Sequence, residues 1–441
     1  MTGFAKVPDS RDYWLTNAQI SASLLEHVPD GAMDCGDNLF SVDLHVSDGM
    51  VSAVVVAGTA PADQSALDLD GGQVWSGYVD LHTHIDKGHT WPRVQNPDGT
   101  HAGARGAVQA DRERSWDPED VRRRMDFTLR AAYAHGTRAL RTHIDSIPPS
   151  PELSWPVFAD IRDEWTGRMD LQAVSLIHLP LFEDRDSVTE IADLVADLGG
   201  IFGAVSSVHE NNEELIDFVF ELATDRGLDL DFHVDETLDP RATSLRTIAE
   251  AARRRDFQGR INCGHCCAFS VQDDDYVEST LDIIGETNIS IVSLPMCNMY
   301  LQDRGRGRTP RNRGVTLLHE FQARGVPVSV ASDNTRDPFY GFGDLDMHEV
   351  FTQAARIAHL DRPYADWPRT ATVTPAAVMG LSETGIIKAG AVADLVLYRG
   401  RGFSELLSRP QLDRIVLRRG KAIDTTVPDY RELDDLFEVG N

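Results

Sequence analysis

Two hydrophobic rhythms divide this chain. Between Asp34 and about Asp70 short apolar runs alternate with Gly, Asp and Ser, as in FSVDLHVSDGMVSAVVVAG at 40–58. Period-two alternation broken by turn residues predicts a β-meander. From Val74 onward β-rich apolar runs are separated by longer stretches with apolar positions at helical spacing. That is the pattern of parallel strands joined by helices. Eight such runs occur, at 74–84, 137–145, 170–179, 201–208, 228–236, 260–266, 289–295 and 326–334. The stretches 118–136 and 212–227 are amphipathic, and Gly136 and Gly227 stand where helices stop. Eight strand–helix units predict an α/β fold, a (β/α)8 TIM barrel, over 74–375. β-like composition returns at 389–400 and again from Leu412. Residues 1–73 and 376–441 are therefore expected to form a small β-sandwich domain built from both chain ends.

Charge and cysteine content narrow the function. A formal net charge of −28 argues against nucleic acid and anionic membranes as partners. The first residues, MTGFAKVPDSRDYWLT, hold no apolar signal region, and no apolar stretch approaches membrane-spanning length. Five cysteines, an odd count in a long chain, fit a reduced, cytoplasmic setting. CGHCC at 263–267 has no second cysteine pair, so a strand end of small residues is expected there rather than a zinc knuckle or redox pair. The basic run DRGRGRTPRNRG at 303–314 reads as a solvated loop or as part of an active-site mouth.

Buried parallel strands should be nearly all apolar, so polar residues at their ends carry information. The first run ends in His82-Thr-His84, followed by Asp86 and Lys87. The second ends in His143-Ile-Asp145, the fifth in His233-Val-Asp-Glu236, and the eighth in Asp333-Asn334. The sixth carries His265. One histidine at a strand end is ordinarily a satisfied core or loop residue. Several at the same end of one barrel, where active sites of this fold lie, are explained together by one metal. Three histidines and one carboxylate suit Zn²⁺ or Fe²⁺, whereas Mg²⁺ would call for more oxygens.

The combination H-x-H, H-x-x-E, a lone H and S-D-N on these strands resembles the amidohydrolase superfamily, in particular its cytosine deaminase branch and the related ammelide hydrolases. RTHID (141–145), HVDE (233–236), LPMCNMYLQDR (294–304), RNRGVT (311–316) and SDNTRDPFYGFG (332–343) carry the resemblance. It implies one divalent metal per chain, Zn²⁺ or Fe²⁺, held by His82, His84, His233 and Asp333. It makes Glu236, His265 and Asp333 the catalytic groups. A metal-activated water would attack the amino-bearing carbon of an N-heterocycle, Glu236 would protonate the neighbouring ring nitrogen, and ammonia would leave. Strand alternation aims residues 233 and 236 at opposite faces, so Glu236 must lie past the strand end where the backbone turns inward. Asp86, His143 and Asp145 would orient the ligands or cap strand ends.

The sequence departs from the cytosine deaminase pattern where substrate is read. His178 stands where that branch has a glutamine, Asn334 where it has an aspartate, and Phe339 where it has a tryptophan. His178, Gln302, Asn334 and Phe339 are expected to contact the ring, with Arg304 near by. The ring remains open among cytosine-like pyrimidines, pterins, triazines and creatinine-like rings. An N-dealkylating triazine or ammelide hydrolase would use the same metal site. A binuclear cyclic-amide hydrolase is disfavoured because the fourth run, IFGAVSSV, holds no lysine. An inactive scaffold should have lost ligands, and none is missing. The expected partners are a small heterocyclic substrate and other copies of this chain in a homo-oligomer. The roles of Lys87 and of the loop at 303–314 stay unassigned.

Overall fold

The computed structural model describes residues 3–437. The chain forms an α/β structure of two compact units. One comprises Met1–Asp80, Arg130–Ala139 and Leu345–Pro428, the other Leu81–Leu129, Leu140–Asp344 and Asp429–Asn441.

Each of the eight apolar runs carries a strand: β1 (Tyr78–Thr83), β2 (Thr137–Asp145), β3 (Asp170–Leu176), β4 (Phe202–Val205), β5 (Leu230–Val234), β6 (Ile261–His265), β7 (Ile289–Ser293) and β8 (Val328–Val330). Strands β4 to β8 form one sheet in chain order with every neighbouring pair parallel. Strands β1, β2 and β3 form a second sheet in that order. Isolated parallel bridges pair Val174 with Ile201, His178 with Val205, and Thr83 with Asp333. Every residue of β5, β6 and β7 is buried. Each fully buried Val, Leu, Ile or Phe there contributes about 1.5–3 kcal/mol.

Four helices matter below: α1 (His101–Ser115), α2 (Pro118–His135), α3 (Asn212–Arg226) and α4 (Ser244–Arg255). Helix α3 ends on Gly227 in the left-handed region, at φ 64°. Helix α1 begins on Thr100, whose side chain accepts from the Gly103 amide.

The run at 74–84 is two strands, not one. Val74–Ser76 pairs antiparallel with Leu395–Leu397, and Gly77 separates it from β1. Every residue of both pieces is buried, so burial does not mark the break. The sheet order is Lys421–Ala422, Ile415–Arg418, Leu395–Leu397, Val74–Ser76, joining strands from both halves of the chain. A separate five-stranded sheet uses only residues before Leu69. Its hairpin Leu39–Ser47/Met50–Val56 turns on Asp48 and Gly49, both at positive φ, the geometry that suits an Asp-Gly turn.

Candidate active site

Three imidazoles and a carboxylate meet at the C-terminal ends of β1, β5 and β8. Nε2 of His233 lies 3.1 Å from Nε2 of His82 and 3.3 Å from Nε2 of His84. Asp333 Oδ1 is 3.3 Å from His84 Nε2 and 3.9 Å from His82 Nε2. All four side chains are buried. A tetrahedral zinc site with nitrogen ligands at about 2.0–2.1 Å has ligand–ligand edges of about 3.3–3.4 Å. The three closest contacts are at or near that edge length. Burial, and then the neighbouring imidazoles and Lys87, push His82, His84 and His233 well below the usual histidine range, leaving them neutral donors of lone pairs. The donor set fits one divalent cation. Among the described residues the metal-competent clusters are this one, extended by His143 and His265, and no cysteine belongs to them.

A buried charge network fixes the ring below. His143 Nε2 stands 3.3 Å from Asp231 Oδ1, which also accepts from Asn262 Nδ2 at 3.0 Å. Arg141 Nη1 donates to Asp231 Oδ2 at 2.8 Å. The His143 ring packs on His82 with centroids 3.9 Å apart. On the other side Gly264 is required by close approach: a Cβ there would sit 3.0 Å from His82 Cε1. The small residues of CGHCC thus make room for a metal ligand, and Cys263, Cys266 and Cys267 are buried free thiols.

Glu236 meets the geometric demand set by the sequence. Strand β5 stops at Val234, and Asp235 takes φ 47°, turning the chain so that Glu236 reaches the wall holding His233. Asp235 is held in that turn by accepting from the Leu245 amide at the start of α4 and from Ser206 Oγ. Glu236 Oε1 lies 3.6 Å from His265 Nδ1 and accepts from Asn298 Nδ2 at 3.3 Å; Oε2 lies 3.3 Å from His101 Nε2. Burial would raise its pKa, but His265 and His101 outweigh burial and hold the carboxyl below the usual range. His265 Nδ1 accepts from Asn298 Nδ2 at 2.9 Å, which places its proton on Nε2, the atom facing the metal donors.

These groups line a cavity of about 470 Å³. His84, His233, Glu236, His265 and Asp333 form one wall, and His178, Asn334 and Phe339 also face the space. Burial lowers His178 to about 4, so its ring is neutral and offers both a donor and an acceptor. Asn334 donates to Asp337 at 2.7 Å, and Phe339 packs edge-on against His101. Gln302 does not reach the cavity wall; it donates to the Glu236 carbonyl at 3.2 Å. Arg304 stacks on Tyr300, and the basic loop folds around Asp303, which accepts from Arg308 and the Asn312 amide. Asp86 is not among the metal donors: its Oδ2 accepts from the Asp145 amide at 2.8 Å, and burial raises its pKa to about 6.

Helix α1 supplies groups that sequence reasoning missed. His101, Arg105, Val108 and Arg112 follow helical spacing and all face the cavity. Arg112 Nη1 donates to Asp145 Oδ2 at 2.9 Å, and Lys87 Nζ to Asp145 Oδ1 at 2.5 Å. Burial would lower the pKa of Lys87, but Asp145 and Asp86 outweigh it and keep the group an ammonium. The spacing and the Thr100 cap were the available signals; the helix is too polar to stand out by periodicity.

The chain is similar to known proteins along most of its length. The model of the amidohydrolase family matches residues 189–421. A pterin deaminase of Rhizobium rhizogenes (strain K84) is 47% identical over 434 residues, covering 98% of this chain and 99% of that protein. The N-isopropylammelide isopropyl amidohydrolase of Pseudomonas sp. (strain ADP) is 25% identical over 348 residues, covering 75% and 81% respectively. The crystal structure of 5-methylcytosine deaminase from Klebsiella pneumoniae liganded with 5-fluorocytosine superposes with a TM-score of 0.79 at 24% identity, covering 93% of this chain and 97% of that one. The matched family segment spans the positions of His233, Glu236, His265 and Asp333. This chain belongs to the amidohydrolase family.

Proposed function

We propose that the protein is a metal-dependent aminohydrolase that removes the exocyclic amino group of a pterin as ammonia. The observation that carries the reaction class is the convergence of His82, His84, His233 and Asp333, of which His84, His233 and Asp333 line the same cavity as Glu236 and His265. The 47% identity to a pterin deaminase along nearly the whole chain supports the ring. A cavity of about 470 Å³ has room for a two-ring heterocycle.

His82, His84, His233 and Asp333 hold the cation, Zn²⁺ or Fe²⁺ by donor type. When bound there, the cation supplies Lewis acidity that brings the pKa of a water toward neutrality. Asp333 accepts the proton of the attacking water, and the Nε2–H of His265 orients it. Glu236, ionised at rest, takes the water's other proton and delivers it to the ring nitrogen beside the amino-bearing carbon. The proton taken by Asp333 passes to the amino group, which leaves as ammonia. His178 reads the ring edge, Asn334 and Phe339 bound the pocket, and Gln302 steadies Glu236 from behind. The parallel bridges from Val174, His178 and Thr83 support closure of the eight strands into a (β/α)8 barrel over 74–375. Residues 1–73 and 376–441 would supply a β-sandwich.

Ammonia release from pterin, cytosine, isocytosine and an aminotriazine by Zn- and Fe-loaded protein tests the assignment. Turnover of pterin above the others is expected, and no release from any of them by metal-loaded protein refutes it. The second reading, N-dealkylation, rests on the likeness to the isopropylammelide enzyme. It requires release of isopropylamine from N-isopropylammelide in the same assay.

A further inference from the structure

Lys87 has no part in the steps above, yet it is buried and lines the cavity. An ammonium has three protons and no acceptor. Asp145 Oδ1 takes one at 2.5 Å. The next polar neighbour, His84 Nδ1, is 3.5 Å away, and His84 also bonds to the backbone of His143. At least one proton is left for the cavity. The other oxygen of Asp145 accepts from Arg112 at 2.9 Å, so the carboxylate is held between two cations. Both of its oxygens are engaged by cations, which offset its charge, and the assembly offers the cavity a fixed cationic donor. Arg105, another cation on the wall, is solvent-exposed, and Arg112 is tied to Asp145.

We infer that Lys87 is a specificity-determining residue whose ammonium donates to an oxo oxygen on the ring that bears the departing amino group, held in place by Asp145 and Arg112. The inference rests on the deamination reading. An oxo oxygen meets the donor directly and gains negative charge as water adds to the same ring, so a preset ammonium stabilises the addition. An amino group in the oxo position would set donor against donor. A buried charged hydrogen bond of this kind discriminates by roughly 10- to 150-fold.

The test compares pterin, which is 2-amino-4-oxopteridine, with 2,4-diaminopteridine on metal-matched protein. Both kcat/KM and the dissociation constant, read by pteridine fluorescence, are measured for each ring. The unaltered protein is expected to favour the oxo ring by about a hundredfold, and Lys87→Met to cut that preference to within about tenfold. Lys87→Arg, which keeps a cationic donor, should restore most of it, and Lys87→Gln replaces Lys87→Met if the latter does not fold. Equal losses on both rings, with the preference intact, would make Lys87 merely structural and overturn the inference. If the unaltered protein deaminates neither ring, the deamination reading fails instead, and the binding preference still decides the role of Lys87.

Discussion

An asparagine decides which way His265 serves the site. By donating to Nδ1, Asn298 leaves the proton on Nε2, which suits His265 to the donor role proposed for it beside His82 and Asp333. The same amide touches Glu236, coupling the two proton-handling groups. Glu236→Gln is expected to keep full metal content and lose turnover by about 10²–10⁴-fold, checked by metal analysis alongside steady-state rates. Gly264→Ala should press on His82 and lower metal affinity by about 10–100-fold, measured by chelator competition. The ligand histidines were legible because period two on a strand puts His82 and His84 on one face, and because several strands each ended in a candidate donor. His101 was not, since it reaches Glu236 from a helix inserted after β1 whose polar composition hides its periodicity. Gln302 lay in a family-like motif, but its side chain turns to the Glu236 carbonyl instead of the cavity.

At the scale of elements, strand ends do the positioning. Asp235, His265 and Asp333 all sit at positive φ immediately beyond or at the end of their strands. Such conformations cost about 1–3 kcal/mol each for residues other than glycine and persist only where surroundings hold them. At Asp235 the hold is visible in the bonds its carboxylate accepts from the Leu245 amide and Ser206 Oγ. Asp235→Ala removes those bonds while keeping the strained turn. It is expected to destabilise the fold by about 1–3 kcal/mol in denaturant titration and to lower activity with little loss of metal. Asp235→Asn, which tolerates the same backbone and can still accept, should lose less. Strand existence was legible throughout, because buried parallel strands are continuous apolar runs. Strand ends were not: the run at 74–84 merges two buried strands of different sheets, and only the hydrogen-bond partners tell them apart.

At the scale of the whole molecule, each compact unit holds buried ion pairs. In the unit that includes Leu345–Pro428, Arg414 grips Asp346 with two hydrogen bonds of 2.7 and 2.5 Å, both side chains buried. Burial would raise the pKa of Asp346, but Arg414 and His135 outweigh it and hold it far below the usual carboxylate range. A lowered folded pKa stabilises fully above the unfolded value of about 4 and loses that contribution only as pH falls through the lower one. This pair should therefore contribute constantly above about pH 5. Asp346→Asn leaves Arg414 buried without its counter-charge, and is expected to cost about 3–5 kcal/mol at neutral pH, read from denaturant midpoints. Removal of the cation should instead lower the melting temperature, by an amount that grows with the logarithm of the metal affinity, and readdition should restore it.

The most direct measurement is the release of ammonia from pterin by protein whose metal has been stripped and then restored. Stripped protein should be inactive, and one equivalent of Zn²⁺ or Fe²⁺ per chain should restore turnover, with His82→Ala neither binding metal nor turning over. Full turnover by the stripped protein, or by His82→Ala, would contradict the assignment of these four ligands to the reaction.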